Sequence, residues 1–279
     1  MSRNHSGVAV VIAMLATLAL AACSPFNSSS SAAPPGSPSA QPSVAATTKP
    51  PKPSGTPKPP PKYSPERPVP QTVQKGVGPH GSIKATGSRA VALTFDDGPD
   101  PVNTPKMLDL LKKNKVKATF CLVGKQANKY PGLVARIVAE GHTLCNHSWY
   151  HRYDLGKQPV TAILKELRDT NAAILRGAPR AKIKYFRAPG GMFTSRLVSA
   201  AAKLGMKSIY WSLDTRDWDF KHFPRGAKMT KHIIDVVRTY ARPGAIILSH
   251  DFYKPDTVAA YAVLLPWLKG RYALIALPT

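Results

Sequence analysis

Seven short apolar runs, each followed by a helix-like segment or by the chain end, fill the sequence from Ser88 onward. The runs cover 90–95, 116–123, 142–146, 183–186, 207–212, 245–249 and 272–276. The helix-like segments lie near 104–113, 126–139, 160–176, 194–204, 226–241 and 257–268. Gly141, Gly205 and Gly244 each follow a helical segment and precede a strand, as C-cap glycines do. This alternation predicts an α/β fold with parallel strands.

Two architectures are compatible with this pattern. A closed or nearly closed (β/α)7 barrel is the natural arrangement of seven such units, and the local pattern does not exclude an open doubly wound sheet. In both architectures catalytic groups collect at the C-terminal ends of the strands. The polar residues that end the predicted strands are therefore the first candidates for a functional site.

Polar clusters end five of the predicted strands. They are Asp96 and Asp97 in "TFDDGP", His147 and His151 in "HSWYH", Arg187 and Gly190 in "RAPGG", Asp214, Asp217 and Trp218 in "DTRDW", and Leu248 and His250 in "LSH". Each cluster alone is a weak signal, because Asp-Asp before Gly-Pro is often a turn and a lone H-x-x-x-H is often chance. Five clusters at the same end of the strands are hard to explain by coincidence.

The order and spacing of these five motifs resemble the polysaccharide deacetylase family, the NodB-homology domain of carbohydrate esterase family 4. The resemblance covers essentially all of residues 89–279. It implies a distorted (β/α)7 barrel. It also implies metal-dependent removal of acetyl groups from N-acetylglucosamine polymers or from acetylated xylan.

Asp97, His147 and His151 are the expected ligands of a divalent metal. The two histidines are four residues apart, so one turn places both imidazoles on the same side. Three protein ligands leave coordination positions open for water and substrate. Zn²⁺ is the expected metal, and Co²⁺ or Ni²⁺ would also suit these ligands.

The remaining motif residues are expected to handle protons and to hold the substrate. Asp96 is expected to be the general base toward the attacking water, held by Arg187. His250 is expected to be the general acid that protonates the leaving amine, with Asp214 keeping its imidazole protonated and oriented. Asp217 is assigned no catalytic step.

The substrate pocket is expected to include Gly190, Trp218 and Leu248. A backbone N–H near Gly190 is expected to stabilise the acetyl oxyanion. Trp218 and Leu248 are expected to enclose the acetyl methyl group, although ordinary core packing is the alternative for both. The family usually carries an aromatic residue, often Tyr, where this chain has Gly190. We expect the missing ring to widen the site or to alter the substrate fit.

The N-terminus predicts export and lipid anchoring. Residues 8–22 form an apolar segment too short to span a bilayer comfortably, and it ends in "LAAC". This resembles the lipobox of bacterial lipoproteins, which implies a signal peptide at 1–22 and a lipidated Cys23 that holds the protein on the outer face of a membrane. An ordinary cleaved signal peptide is the alternative.

Residues 23–80 are predicted to be a disordered linker rich in Pro, Ser and Lys, because they have too few aliphatic residues to form a core. At about 3.1 Å per residue, some fifty residues of such a linker reach on the order of 150 Å. That length suits an enzyme that works inside a cell wall, although a spacer with no reach requirement is also compatible. The catalytic domain is predicted to be 81–279.

The net charge of +24 also constrains the partners. Residues 89–279 keep 31 of the 39 Lys and Arg and 14 of the 15 Asp and Glu, a net charge of +17. For an exported protein this positive charge favours anionic wall polymers or the membrane surface as partners and argues against nucleic acid. The alternative is that the charge only reflects the amino-acid composition common to the lineage.

The two cysteines of the predicted domain, Cys121 and Cys145, either pair in an oxidising compartment or remain buried thiols. We expect a monomer.

Three functions are compatible with these residues. The first is an extracytoplasmic N-deacetylase that acts on peptidoglycan or chitin oligomers and releases acetate. The second is an acetylxylan esterase, which removes O-acetyl groups by the same chemistry. The third is a non-catalytic domain that binds wall glycan, and it is disfavoured because every expected metal and acid–base position is filled.

Overall fold

A computed structural model describes residues 72–279. The strands are β1 (Val91–Asp96), β2 (Thr119–Leu122), β3 (Thr143–Asn146), β4 (Tyr185–Phe186), β5 (Lys207–Ser208), β6 (Leu213–Asp214), β7 (Ile246–His250) and β8 (Leu274–Ile275). The helices are α1 (Asn103–Lys113), α2 (Gly124–Lys129), α3 (Pro131–Ala139), α4 (Val160–Gly177), α5 (Ser195–Lys203), α6 (Ala227–Tyr240) and α7 (Pro255–Lys269).

All the strands pair in parallel in one curled sheet. Its order is β5-β4-β3-β2-β1-β7-β6, and β8 also pairs with β1. Within residues 72–279 no ladder joins β5 to β6, so the barrel is not closed by hydrogen bonds. The predicted distorted (β/α)7 barrel is confirmed, and its C-terminal strand ends share one edge.

Two predicted elements differ in the structure. The run at 207–212 is shortened to β5, because Ile209 only bridges to Ile83 and the chain then crosses to the opposite edge of the sheet, where β6 begins at Leu213. The helix at 126–139 becomes α2 and α3. Tyr130 leaves the helical conformation (φ −127°, ψ 57°) because the following Pro131 crowds its backbone.

The two faces of β1 explain the core. One face carries Val91, Leu93 and Phe95, every second residue of the strand. These side chains belong to the large hydrophobic cluster that also includes residues of the helices. Ala92 belongs instead to a smaller cluster that includes Cys121 and Cys145. Parallel strands covered on both faces are buried throughout, as β1 is.

Cys121 on β2 and Cys145 on β3 are register partners and form a disulfide in the structure. Both side chains are fully buried. The sequence left open whether these cysteines pair. Their pairing follows from the register of two neighbouring strands, which the sequence alone does not specify.

The folded part begins before the predicted boundary at residue 80. Gln74 N–H donates to the Pro243 carbonyl at 2.7 Å, and Val77 bridges to Ile83 in antiparallel fashion. These backbone contacts fix residues that composition alone assigned to the linker. The predicted signal peptide, Cys23 and the linker up to residue 71 lie outside the described residues. Among the described helices, none has the length and apolarity needed to cross a membrane.

Candidate active site

A cavity of about 390 Å³ opens at the C-terminal edge of the sheet. Every predicted site residue of the folded part lines it except Arg187, which is fully buried. Residues far apart in sequence meet here because β1, β3, β4, β6 and β7 all end at this edge. The structure therefore brings the five sequence motifs together in one site.

Asp97, His147 and His151 present three donor atoms to one point. Asp97 Oδ1 lies 3.4 Å from His147 Nε2 and 3.2 Å from His151 Nε2. One ligand atom from each residue lies within 4.8 Å of the others. Asp97 Oδ1 is buried and has no hydrogen-bond partner. A buried, unpartnered carboxylate oxygen facing two imidazole nitrogens fits a divalent cation.

Backbone contacts orient these donors. His147 Nδ1 donates to the Arg187 carbonyl at 2.8 Å, which leaves Nε2 free to face Asp97. Asp97 and His151 have left-handed backbones, with φ of 75° and 57°. Such backbones are uncommon for residues with a side chain and concentrate at functional sites.

Burial and charge set the protonation of the donor residues. Burial, reinforced by the neighbouring His147, lowers the pKa of His151 to about 4. The imidazole is therefore neutral near pH 7, which is the form that binds a metal. Burial alone would raise the pKa of Asp97, but the surrounding histidines outweigh it and lower that pKa well below its usual range.

Asp96 is held by the buried Arg187. Arg187 Nη1 donates to Asp96 Oδ1 at 2.7 Å and to Thr94 Oγ1 at 2.9 Å, and Nη2 donates to the Tyr210 carbonyl at 3.0 Å. The other carboxylate oxygen of Asp96 lies 3.5 Å from His147 Nε2. The guanidinium thus fixes the direction of the Asp96 carboxyl group beside the candidate metal ligands.

His250 is held by Asp217 and not by Asp214, so the predicted partner was wrong. Asp217 Oδ1 lies 2.7 Å from His250 Nδ1, and Asp217 Oδ2 accepts from the His250 backbone N–H at 2.8 Å. Thr257 Oγ1 also donates to Asp217 Oδ2, at 2.7 Å. Burial would lower the pKa of His250, but the Asp217 carboxylate outweighs it and raises that pKa to about 10.

Asp214 orients a different side chain. Its Oδ1 accepts from the Arg216 backbone N–H at 2.8 Å and from Trp218 Nε1 at 3.3 Å. Burial raises the pKa of Asp214. Arg216, at φ 53°, turns the chain between the two aspartates. The "DTRDW" motif offers two equivalent carboxylates, and no signal in the sequence shows which one this turn directs to His250.

The cavity wall includes side chains that sequence reasoning did not select. Trp218 is 46% exposed and Leu248 is 3% exposed, and both lie where they were predicted. Tyr153, Met192 and Trp211 also line the cavity. None of these three residues belongs to the five motifs that predict the site. Their position at the cavity depends on the geometry of the loops.

The fold and the site together define a parallel α/β-barrel hydrolase with a place for a divalent metal. The polysaccharide deacetylase family model matches residues 83–209. A chitooligosaccharide deacetylase of Sinorhizobium fredii is 37% identical over 202 residues, which cover 68% of this chain and 90% of that protein. The peptidoglycan-N-acetylglucosamine deacetylase PgdA of Listeria monocytogenes is 35% identical over 192 residues, covering 67% of this chain and 38% of PgdA.

Solved structures agree with these matches. The family 4 carbohydrate esterase from Streptomyces lividans in complex with acetate is 32% identical, with a TM-score of 0.59 over 67% of this chain and 91% of that one. The chain therefore belongs to the polysaccharide deacetylase family, the NodB-homology domain of carbohydrate esterase family 4. It is a hydrolase of carbon–nitrogen bonds other than peptide bonds.

Proposed function

We propose that this protein hydrolyses the N-acetyl groups of N-acetylglucosamine-containing glycans, either peptidoglycan or chitin oligomers, and releases acetate. Relatives that act on chitooligosaccharide and on peptidoglycan support this substrate class. The observation that carries the proposal is the pairing of an Arg187-held Asp96 with an Asp217-held His250 at one cavity. Together they provide a base and an acid for amide hydrolysis.

Asp96 serves as the general base in this proposal. A general base must be held in a fixed direction, and the Arg187 guanidinium holds Asp96 through the 2.7 Å contact. Asp96 takes a proton from the water that attacks the acetyl carbonyl. A backbone N–H near Gly190 stabilises the negative charge that develops on the carbonyl oxygen, and Trp218 and Leu248 enclose the acetyl methyl group.

His250 serves as the general acid. Its pKa of about 10 keeps the imidazole protonated at neutral pH. Cleavage of an amide requires a proton on the leaving nitrogen, because an amine anion is a very poor leaving group. Asp217 fixes both the ring and the backbone of His250, so the proton is presented from a constant position.

Asp97, His147 and His151 would hold the divalent metal, with Zn²⁺ as the first candidate and Co²⁺ or Ni²⁺ as alternatives. When bound, such a metal polarises the acetyl carbonyl and lowers the pKa of water. Measurement of metal per chain tests the site directly. Wild type is expected to retain metal through dialysis, and His151→Ala is expected to lose it.

We also propose that the protein is anchored outside the cytoplasm through a lipidated Cys23 and works as a monomer on wall glycan. The support is the "LAAC" sequence after the apolar segment, together with the long linker. In cells given a radiolabelled fatty acid, the wild-type chain should become labelled. A Cys23→Ser chain should remain unlabelled, and label on that variant would contradict the anchor.

Acetate release from three substrates in parallel tests the activity. N-acetylglucosamine pentamer, peptidoglycan and acetylated xylan would be given to chelated and zinc-restored protein, with Asp96→Asn as the inactive control. We expect zinc-dependent acetate from the amino-sugar polymers. Acetate from xylan alone would move the function to ester cleavage. If none of the three substrates releases acetate while the metal is still bound, the proposal is contradicted.

A further inference from the structure

The ring of Tyr153 occupies the space beside Gly190. A Cβ at position 190 would lie 3.1 Å from Tyr153 Cε1 and 3.2 Å from Cδ1, so even alanine would press on the ring. The φ of +58° at Gly190 also favours glycine. The absent side chain therefore does not leave an empty place in the wall. Glycine at 190 is what admits the Tyr153 ring.

The same ring is largely exposed and borders the cavity. Tyr153 is 64% exposed and lines the cavity together with the partly exposed Trp218. The ring also contacts His151 edge-on, at 5.3 Å between ring centroids and an angle of 70°. A large, exposed aromatic face at a cavity mouth fits a ligand that presents flat apolar surfaces beside hydroxyls, and the C–H faces of a pyranose ring are such surfaces.

The segment that carries Tyr153 is fixed to the barrel. Leu155 is 1% exposed, which anchors the segment in a core cluster. Thr194 Oγ1 donates to the Gly156 carbonyl at 3.2 Å, and Arg196 donates to two further carbonyls of the same segment. A residue whose backbone segment is held in place before binding loses little backbone freedom when a ligand arrives.

We propose that Tyr153 is a substrate-binding residue that packs on a pyranose ring of the glycan chain, and that Gly190 makes room for it. The inference rests on the proposed function, because it takes an N-acetylhexosamine chain as the ligand. It assigns to Tyr153 a part in selecting glycans over small acetyl compounds.

Binding to an inactive enzyme tests this without turnover. In the full-length Asp96→Asn chain, titration calorimetry with N-acetylglucosamine pentamer should show that Tyr153→Ala raises Kd by about five- to tenfold, as loss of an aromatic contact does. Tyr153→Phe should keep near-normal affinity. Tyr150→Ala is the matched control, because Tyr150 is 62% exposed in the same loop but does not line the cavity.

Kinetics on the active full-length chain separate binding from support of His151. Tyr153→Ala should raise KM for the pentamer more than it lowers kcat. The ratio of kcat/KM for the pentamer to that for 4-nitrophenyl acetate should fall. An equal loss on both substrates, or loss of bound metal, would show that the ring supports His151 and would overturn the proposal. Unchanged pentamer affinity in Tyr153→Ala would also overturn it.

Gly190→Ala provides a second variant. It should weaken pentamer binding by displacing the ring, and its effect should add little to that of Tyr153→Ala in the double variant. Fully additive effects would contradict the pairing of the two residues. If wild type binds the pentamer without releasing acetate, the proposed activity fails while the binding role stays measurable. If wild type does not bind the pentamer, both fail.

Discussion

Asp217 and Asp214 are three residues apart in one motif, yet they have different partners. Asp217 is 1% exposed and contacts His250 through both carboxylate oxygens, whereas Asp214 contacts Trp218. A buried carboxylate against an imidazole stabilises the imidazolium and fixes its direction. This difference decides which aspartate holds His250, the proposed proton donor.

Replacing Asp217 should therefore impair catalysis more than replacing Asp214. Asp217→Asn removes the charge that keeps His250 protonated, so we expect kcat for the amide substrate to fall on the order of 100-fold or more. Asp214→Asn, the matched control, should have a smaller effect that falls mainly on KM through Trp218. Steady-state kinetics of acetate release measure both, and a larger kcat loss in Asp214→Asn would contradict the assignment.

The pH profile gives an independent measure of the same contact. A histidine with a raised pKa is protonated below that pKa, so the acid form of His250 is lost as pH rises through about 10. Asp217→Asn removes the main influence that raises this pKa. The alkaline limb of the kcat profile should then move to lower pH, toward the ordinary histidine value of 6.5. An unmoved limb would show that another group sets it.

Among the secondary-structure elements, β4 and β1 are connected by hydrogen bonds of Arg187. It follows β4, is 0% exposed, and donates to Asp96 and Thr94 of β1. Removing one partner of a buried ion pair leaves an uncompensated charge, which costs more than the pair itself contributes. Arg187 therefore supports both the fold and the position of the proposed base.

Arg187→Met should lower the free energy of unfolding by about 3–5 kcal/mol, because Asp96 is left buried and unpaired. Denaturant unfolding measures this change. The double variant Arg187→Met with Asp96→Asn is the control, and it should recover part of the loss because the buried charge is gone. Equal stability of the single and double variants would contradict the origin of the loss.

The disulfide between β2 and β3 is a second link between elements. Cys121 and Cys145 are separated by 24 residues, and a closed loop of that size is expected to contribute about 3 kcal/mol. Replacing both cysteines with alanine should lower the free energy of unfolding by about 3 kcal/mol, which is measured as a lower midpoint of denaturant unfolding. Thiol labelling of the unfolded, unreduced wild type should find neither cysteine free, and two labelled thiols in protein from an oxidising compartment would contradict the pairing.

Some elements could be predicted from the sequence and others could not, for physical reasons. The alternation of apolar runs and helices fixes parallel strands, and parallel strands place Asp96, His147 and His250 at one edge. The partner of His250 and the position of Tyr153 depend on turn geometry, which the strand pattern does not encode. The break before Pro131 could have been predicted from the proline itself.

In the whole molecule, residues from motifs spread over most of the folded chain come together to form the candidate active site. Asp96 on β1 and His250 on β7 are register partners on neighbouring strands, although they are far apart in sequence. The segment before β1 also contacts the barrel, through Gln74 and Ile83. The catalytic unit therefore includes residues that composition assigned to the linker.

We propose that this barrel removes N-acetyl groups from N-acetylglucosamine chains by acid–base chemistry at a metal site. The most direct measurement follows acetate and new free amines in the same sample of N-acetylglucosamine pentamer with zinc-loaded protein. We expect equal amounts of both products, loss of both in the chelated protein and in Asp96→Asn, and recovery on adding zinc to the chelated wild type. Zinc-loaded wild type that binds the pentamer and forms neither product would contradict this proposal.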